Sequence, residues 1–127
     1  MTEKGSASIA LLGVGAVVLV LAAGLAAVGS YLVAQAEAEI AADAAALAAA
    51  PVTFLPFGAR GTPAEEAARF AALNHARVKV CHCPLDPSWE PRTVEVETIR
   101  VITIWPLGSF EVTAVGRAEF VPALLLE

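Results

Sequence analysis

Charge is scarce in this sequence. Only 17% of its 127 residues are charged, and eight Lys and Arg stand against thirteen Asp and Glu. A soluble domain carries about 25% charged residues. Scarce charge beside 57% hydrophobic residues excludes disorder over most of the chain. The shortage of basic residues argues against a nucleic-acid partner, because phosphates need a basic face. Two cysteines cannot build a disulfide-dense scaffold. The length allows one domain at most. A small membrane-associated or secreted protein remains, with a mean hydropathy of +0.69.

The apolar excess is concentrated at one end. No charged residue lies between Lys4 and Glu37, and Ile9 to Val33 is almost wholly Ala, Leu, Val, Gly and Ile. As a helix that run reaches roughly 37 Å, enough to cross a hydrocarbon core of about 30 Å with some tilt. Tyr31 falls near its far end, where an interfacial aromatic belongs. The composition predicts a single-pass segment in membrane lipid. Lys4 sits in the short leading tail, while seven basic and twelve acidic residues lie from Glu37 onward. Long domains translocate regardless of charge, so the tail is expected in the cytoplasm and the remainder outside. The division expected is residues 1–36 as tail and membrane helix, and 37–127 as an extracytoplasmic region. A rival reading is export with cleavage. Ala34-Gln35-Ala36 before Glu37 fits a signal-peptidase pattern and would release a secreted or surface binding protein. The apolar run is longer than the usual signal core of about 7–15 residues.

The first helix is expected to continue past the membrane. Residues 35–50 are Ala-rich, and nothing breaks a helix before Pro51. Val33, Ala36, Ile40, Ala44 and Leu47 share one helical stripe, flanked by Glu37, Glu39 and Asp43. Ile40, Asp43 and Leu47 are therefore candidates for helix packing. Within the apolar run, Ala22, Ala26 and Ser30 at four-residue spacing form a second candidate packing face. A loop with Pro51, Pro56, Gly58 and Gly61 comes next. Thr62-Pro63-Ala64-Glu65 then has the form of a capping box with proline at the first helical position. It predicts a helix to about Asn74 or His75.

The remainder reads as strands. Arg77 to Cys83 alternates, with Val78 and Val80 on one face. Thr93 to Trp105 is rich in β-branched residues, and its apolar parity shifts between Val96 and Ile99, which predicts a bulge near Thr98. After a turn at Pro106-Leu107-Gly108-Ser109, Phe110 to Phe120 alternates as a half-buried strand. Its small central residues suit the close approach of a helix. The class expected is α+β: a long N-terminal helix, one short helix and an antiparallel sheet of about three strands.

That order of elements is the plan of pilin-like proteins, and the chain resembles the TadE/TadG-like family of actinobacterial tight-adherence (Flp) pilus systems. Gly5-Ser6-Ala7-Ser8-Ile9 resembles the small-residue opening of the family's membrane helix. Gln35 with Ile40 to Ala48, centred on Asp43, resembles its Ala-rich segment. Ala71 to Val78 followed by Cys81, and Val115-Gly116-Arg117-Ala118, are similar to its later strands. The resemblance implies processing after Gly5, leaving Ser6 first, and partners among other pilin-like or pilus-assembly subunits. It also implies a structural or assembly role, as a minor pilin-like or pseudopilin-like component. Three positions depart from the family pattern. Ala10 stands where pilin-like proteins carry a glutamate, no cysteine occurs near Pro63, and His75 replaces the usual glycine after Asn74.

No chemistry-bearing constellation emerges. In a regular strand Cys81 and Cys83 share a face with Arg77 and Lys79, and a disulfide between them closes a tight ring, with an intermolecular bond as the other option. A redox role for the pair stays open. Cys81-His82-Cys83, even with His75, lacks the separated ligand pairs of a zinc site, so no metal is expected. Glu95 and Glu97 share a strand face, which reads as solvated surface rather than paired catalytic carboxylates. The glycines of the apolar run form no phosphate loop. No cofactor, no small-molecule substrate and no enzymatic activity are expected.

Overall fold

A computed structural model describes residues 3–54 and 61–126, and the expected loop residues Pro56 and Gly58 lie outside them. The class is α+β, as the pattern predicts. Helix α1 (Glu3–Val52) is followed by α2 (Pro63–Leu73) and strands β1 (Arg77–His82), β2 (Arg92–Ile104) and β3 (Gly108–Phe120). A short 3-10 helix (Pro122–Leu126) comes after β3. The sheet is antiparallel in the order β1-β2-β3. The chain divides into two compact units, Met1–Leu32 and Val33–Glu127.

The described part of the first unit is helix alone. Its large side chains are exposed throughout, from Ile9 at 72% to Leu32 at 60%. Of the described helices, α1 is the one long and apolar enough to cross a membrane by length and composition. Such exposure is costly in water and natural in lipid, where the backbone bonds of a helix are already satisfied. An apolar N-terminal helix of this kind fits a membrane-anchored protein.

The second unit has a core of small residues. Ala45, Ala46, Ala49 and Ala50 of α1 meet Val94 and Val96 of β2, Ala118 of β3, and Ala67 and Ala71 of α2. A second cluster joins Ala34, Ala38 and Ala42 to Val112 and Ala114, with Ile102 packed against it. Gly116 lies where a Cβ would run into the Ala42 carbonyl group and the Asp43 amide. The helix and β3 therefore touch backbone to backbone, the close approach that the small residues of this strand suggested. Thr98 is fully buried, and its Oγ1 donates to the Ala38 carbonyl at 3.0 Å.

The bulge lies elsewhere than expected. The β2–β3 register runs unbroken through Thr98↔Ala114. The irregularity is on β1, between Val78 and Val80, where Lys79 is the additional residue. On β2 the even-numbered side chains from Val94 to Ile102 lie on the packed side, and Thr98 and Arg100 are the polar members of that run. The β1 bulge reverses the parity of the later strand residues. Val78, Cys81 and Cys83 pack against the core, while Val80 turns outward at 37% exposure. The expected sharing of one face by Val78 and Val80, and by the cysteines with Arg77 and Lys79, is corrected by that one residue.

The capping box at α2 is complete. Glu65 N donates to Thr62 Oγ1, and Thr62 N donates to Glu65 Oε2 at 2.7 Å. Removing the hydroxyl in Thr62→Ala is expected to destabilise the second unit by about 1 kcal/mol, read as a lower thermal midpoint with an unchanged far-UV spectrum. After the helix, His75 takes a left-handed conformation (φ 59°), the one such non-glycine residue among those described. Its neighbours bond correctly around it, with Ala76 N donating to the Ala71 carbonyl at 3.0 Å. A left-handed L-residue costs about 1–2 kcal/mol, and glycine recovers part of this against its own chain entropy. His75→Gly should therefore stabilise the protein by about 0.5–1 kcal/mol, measurable as a raised midpoint in the same melt.

At the far end of the sheet, Phe54 packs edge-on against Trp89 (5.0 Å) and tilted against Phe120 (6.2 Å). The Arg92 guanidinium lies over the Phe54 ring and donates to the carbonyls of Asp86, Ser88 and Glu90. This ties the turn-rich connection 84–91 to the end of α1, where Asp86 N also donates to the Thr53 carbonyl at 2.9 Å. Hydrogen bonds from Ser88 hold the Asp86 carboxyl below the usual carboxylate range, with Arg92 adding to the effect.

Candidate assembly surface

Each side of α1 in the second unit does something different. The side that meets the sheet is lined by alanines, because only a methyl fits where the backbones approach this closely. The large residues of the Val33-Ile40-Leu47 stripe are left outside: Val33 and Ile40 are each 59% exposed and Leu47 65%. Asp43 is exposed as well. Ile40, Asp43 and Leu47, the candidates for helix packing, are therefore not the contact with the chain's own sheet. The fold instead spends Ala34, Ala38, Ala42, Ala45 and Ala49 there.

Polar groups fix the helix beside that stripe. Glu37 Oε2 pairs with Arg100 Nη2 at 2.8 Å, linking α1 to β2. Those two residues, with Ile40, Leu73, Asn74 and His75, line a shallow groove of about 240 Å³. A second depression of about 380 Å³ borders Gln35, Glu39, Asp43 and β3 at Thr113–Val115. Gln35 Nε2 donates to Glu39 at 3.1 Å along the helix. Neither depression gathers nucleophile, base and oxyanion donors, the arrangement that acyl or phosphoryl chemistry requires.

In the first unit Ala22, Ala26 and Ser30 are exposed, and Ser30 Oγ donates to the Ala26 carbonyl at 2.9 Å. Gly13, Gly15, Gly24 and Gly29 have open space where a Cβ would stand. Gly5 and Ser6 lie within α1, and their side chains lie outside the described residues. Ala36 and Glu37 sit inside the same uninterrupted helix.

Cys81 and Cys83 are joined as a disulfide with Cα atoms 5.4 Å apart. His82 between them is exposed. Among the described residues no group of three or more His, Cys, Asp and Glu is placed to hold a metal ion. Glu95 and Glu97 are engaged across strands, with Arg117 at 2.7 Å and Lys79 at 2.8 Å. The hydrogen bond and charge of Glu97 raise the Lys79 ammonium pKa.

Sequence reasoning missed the Glu37–Arg100 link and the groove it borders. A signal was available: Arg100 interrupts the apolar residues of β2 at a core-facing parity, so it needs a partner on the packed helix.

No curated protein and no solved structure matches the chain. A model of the family described as "Putative Flp pilus-assembly TadE/G-like" matches residues 5–52. The match covers α1 almost from end to end, including the apolar run, the alanine face and the Ile40–Leu47 stripe. The stretches from Ala71 onward lie outside it. Over residues 5–52 the chain is similar to that family.

Proposed function

We propose that the protein is a structural or assembly component, of minor pilin-like kind, of a tight-adherence pilus or related secretion apparatus. Residues 9–33 cross the membrane with the N-terminus in the cytoplasm, and the second unit stands outside as a small head. The observation that carries this reading is the division of labour along the helix matched by the family. Its alanine side is used up by the head, while Ile40 and Leu47 remain exposed on the helix for another subunit. Specific recognition is concentrated in a few such side chains. The partners are other pilin-like or pilus-assembly subunits and membrane lipid, and no turnover is involved.

Release by cleavage after Ala36 is the weaker reading. The apolar run from Ile9 to Val33 is longer than the usual signal core of about 7–15 residues, and it continues into the same helix at Ala36. The test is the intact mass and N-terminal sequence of the native protein from its own cells. A start at Met1, Thr2 or Ser6 with the protein in the membrane fraction supports the proposal. A start at Glu37 in the medium overturns it.

A further inference from the structure

We propose that the tip of the β2–β3 hairpin, Trp105-Pro106-Leu107, rests in the headgroup region of the membrane that anchors the chain, and so holds the head against the lipid surface. This rests on the reading of residues 9–33 as a membrane span.

The first observation is the character of the tip. No charged residue occurs from Val101 to Phe110, between Arg100 and Glu111. Trp105 is 89% exposed, the most exposed large apolar side chain described, and Leu107 is 64% exposed. Exposed apolar groups gathered in this way mark a contact surface. A second tryptophan provides contrast. Trp89 packs on Phe54 at the opposite end of the sheet, among Asp86, Glu90 and Arg92.

The second observation is where the tip lies in its own unit. Gly116 is set against Ala42, and Thr98, paired with Ala114, bonds Ala38. Four helix residues thus match two strand residues, about 6 Å against about 6.7 Å. One more step brings Ala34 level with Val112, its companion in the second cluster. The ladder then continues four residues further, to Ile104↔Gly108, which is about 13 Å. Within the second unit the tip therefore lies at the same end as Val33, the residue that follows the apolar run in sequence. Sequence connectivity is what brings that end to the headgroups in the proposal: two residues separate Ala34 from Tyr31.

The third is chemistry. Tryptophan favours this layer because its ring is apolar while its indole N–H can donate to headgroup oxygens. The flanking Thr103 and Ser109 hydroxyls pair with each other at 3.0 Å, leaving the stem free of charge that would resist approach.

The test uses the full chain in phosphatidylcholine–phosphatidylglycerol vesicles, as single-tryptophan variants Trp89→Phe (reporting Trp105) and Trp105→Phe (reporting Trp89). Lipids brominated near the headgroup quench from the membrane, and iodide quenches from water. The expected result is at least about a twofold loss of Trp105 emission with brominated lipid, little loss for Trp89, and the reverse order with iodide. Flotation of the vesicles separates the two readings. Protein that floats while Trp105 stays iodide-accessible and unquenched by lipid overturns the proposal alone. Protection from iodide without lipid quenching, lost on dilution into excess vesicles, assigns the tip to a second copy and also overturns it. Protein that fails to float overturns the membrane span and this inference together.

Discussion

Gly116→Val should unfold the head. A side chain at this position has no direction in which to move, because it meets the backbone of Ala42 and Asp43 rather than a flexible side chain. Overpacking a well-packed core costs about 1–3 kcal/mol when neighbours can adjust, so about 3 kcal/mol or more is expected where they cannot. That is a large part of the total stability of a small domain. Displacing α1 would also break the Thr98–Ala38 bond and open both alanine clusters. Val115→Ala, one residue away at a side chain 51% exposed, should change stability by less than about 0.5 kcal/mol. The check is thermal unfolding of both variants in lipid nanodiscs, monitored by tryptophan emission. Equal melting of Gly116→Val and wild type would mean that the helix and β3 do not meet at Ala42.

The second large effect separates folding from assembly. Ile40→Asp with Leu47→Asp should leave the melt within about 1 kcal/mol of wild type, because neither side chain is in the core. Under the proposed role the same pair should abolish incorporation into the pilus apparatus. Losing anchors worth about 2 kcal/mol each weakens association roughly thirtyfold per site. The measurement is piliation and co-purification of pilus subunits in a deletion strain complemented with the variant. Full complementation by a stably folded double variant would show that this stripe takes no part in assembly.

These two experiments fall on the two sides of one helix, and the sequence treats those sides unequally. The apolar run, the capping box at Thr62 and the alternation of β3 were legible because each rests on local spacing. The resemblance to the TadE/G-like family was legible on the same helix, and the family model matches residues 5–52. The choice of packing face was hidden. Hydropathy ranks Ile40 and Leu47 above any alanine, yet Gly116, Ala114 and Ala118 draw the helix in so closely that only alanine fits.

The bulge was misplaced for a related reason. Ile99 and Val101 on β2 suggest a change of face, but Thr98 and Arg100 keep their place on the packed side through Ala38 and Glu37. Polar residues with remote partners break the simple apolar code, and those partners are some sixty residues away in sequence. The additional residue at Lys79 carries no local signature at all, since Val78-Lys79-Val80 alternates perfectly as written.

Under the proposed role the exposed side of α1 at Ile40 and Leu47 meets another pilus subunit. The most direct test of that contact is a photo-activated cross-linking amino acid at position 40, in native cells, with mass spectrometry of the adduct. The expected result is an adduct with a pilin-like or pilus-assembly subunit, and none from the same probe at Thr93 on the outer face of the sheet. Membrane-embedded protein that gives no protein adduct at position 40, while cells remain piliated, would contradict it.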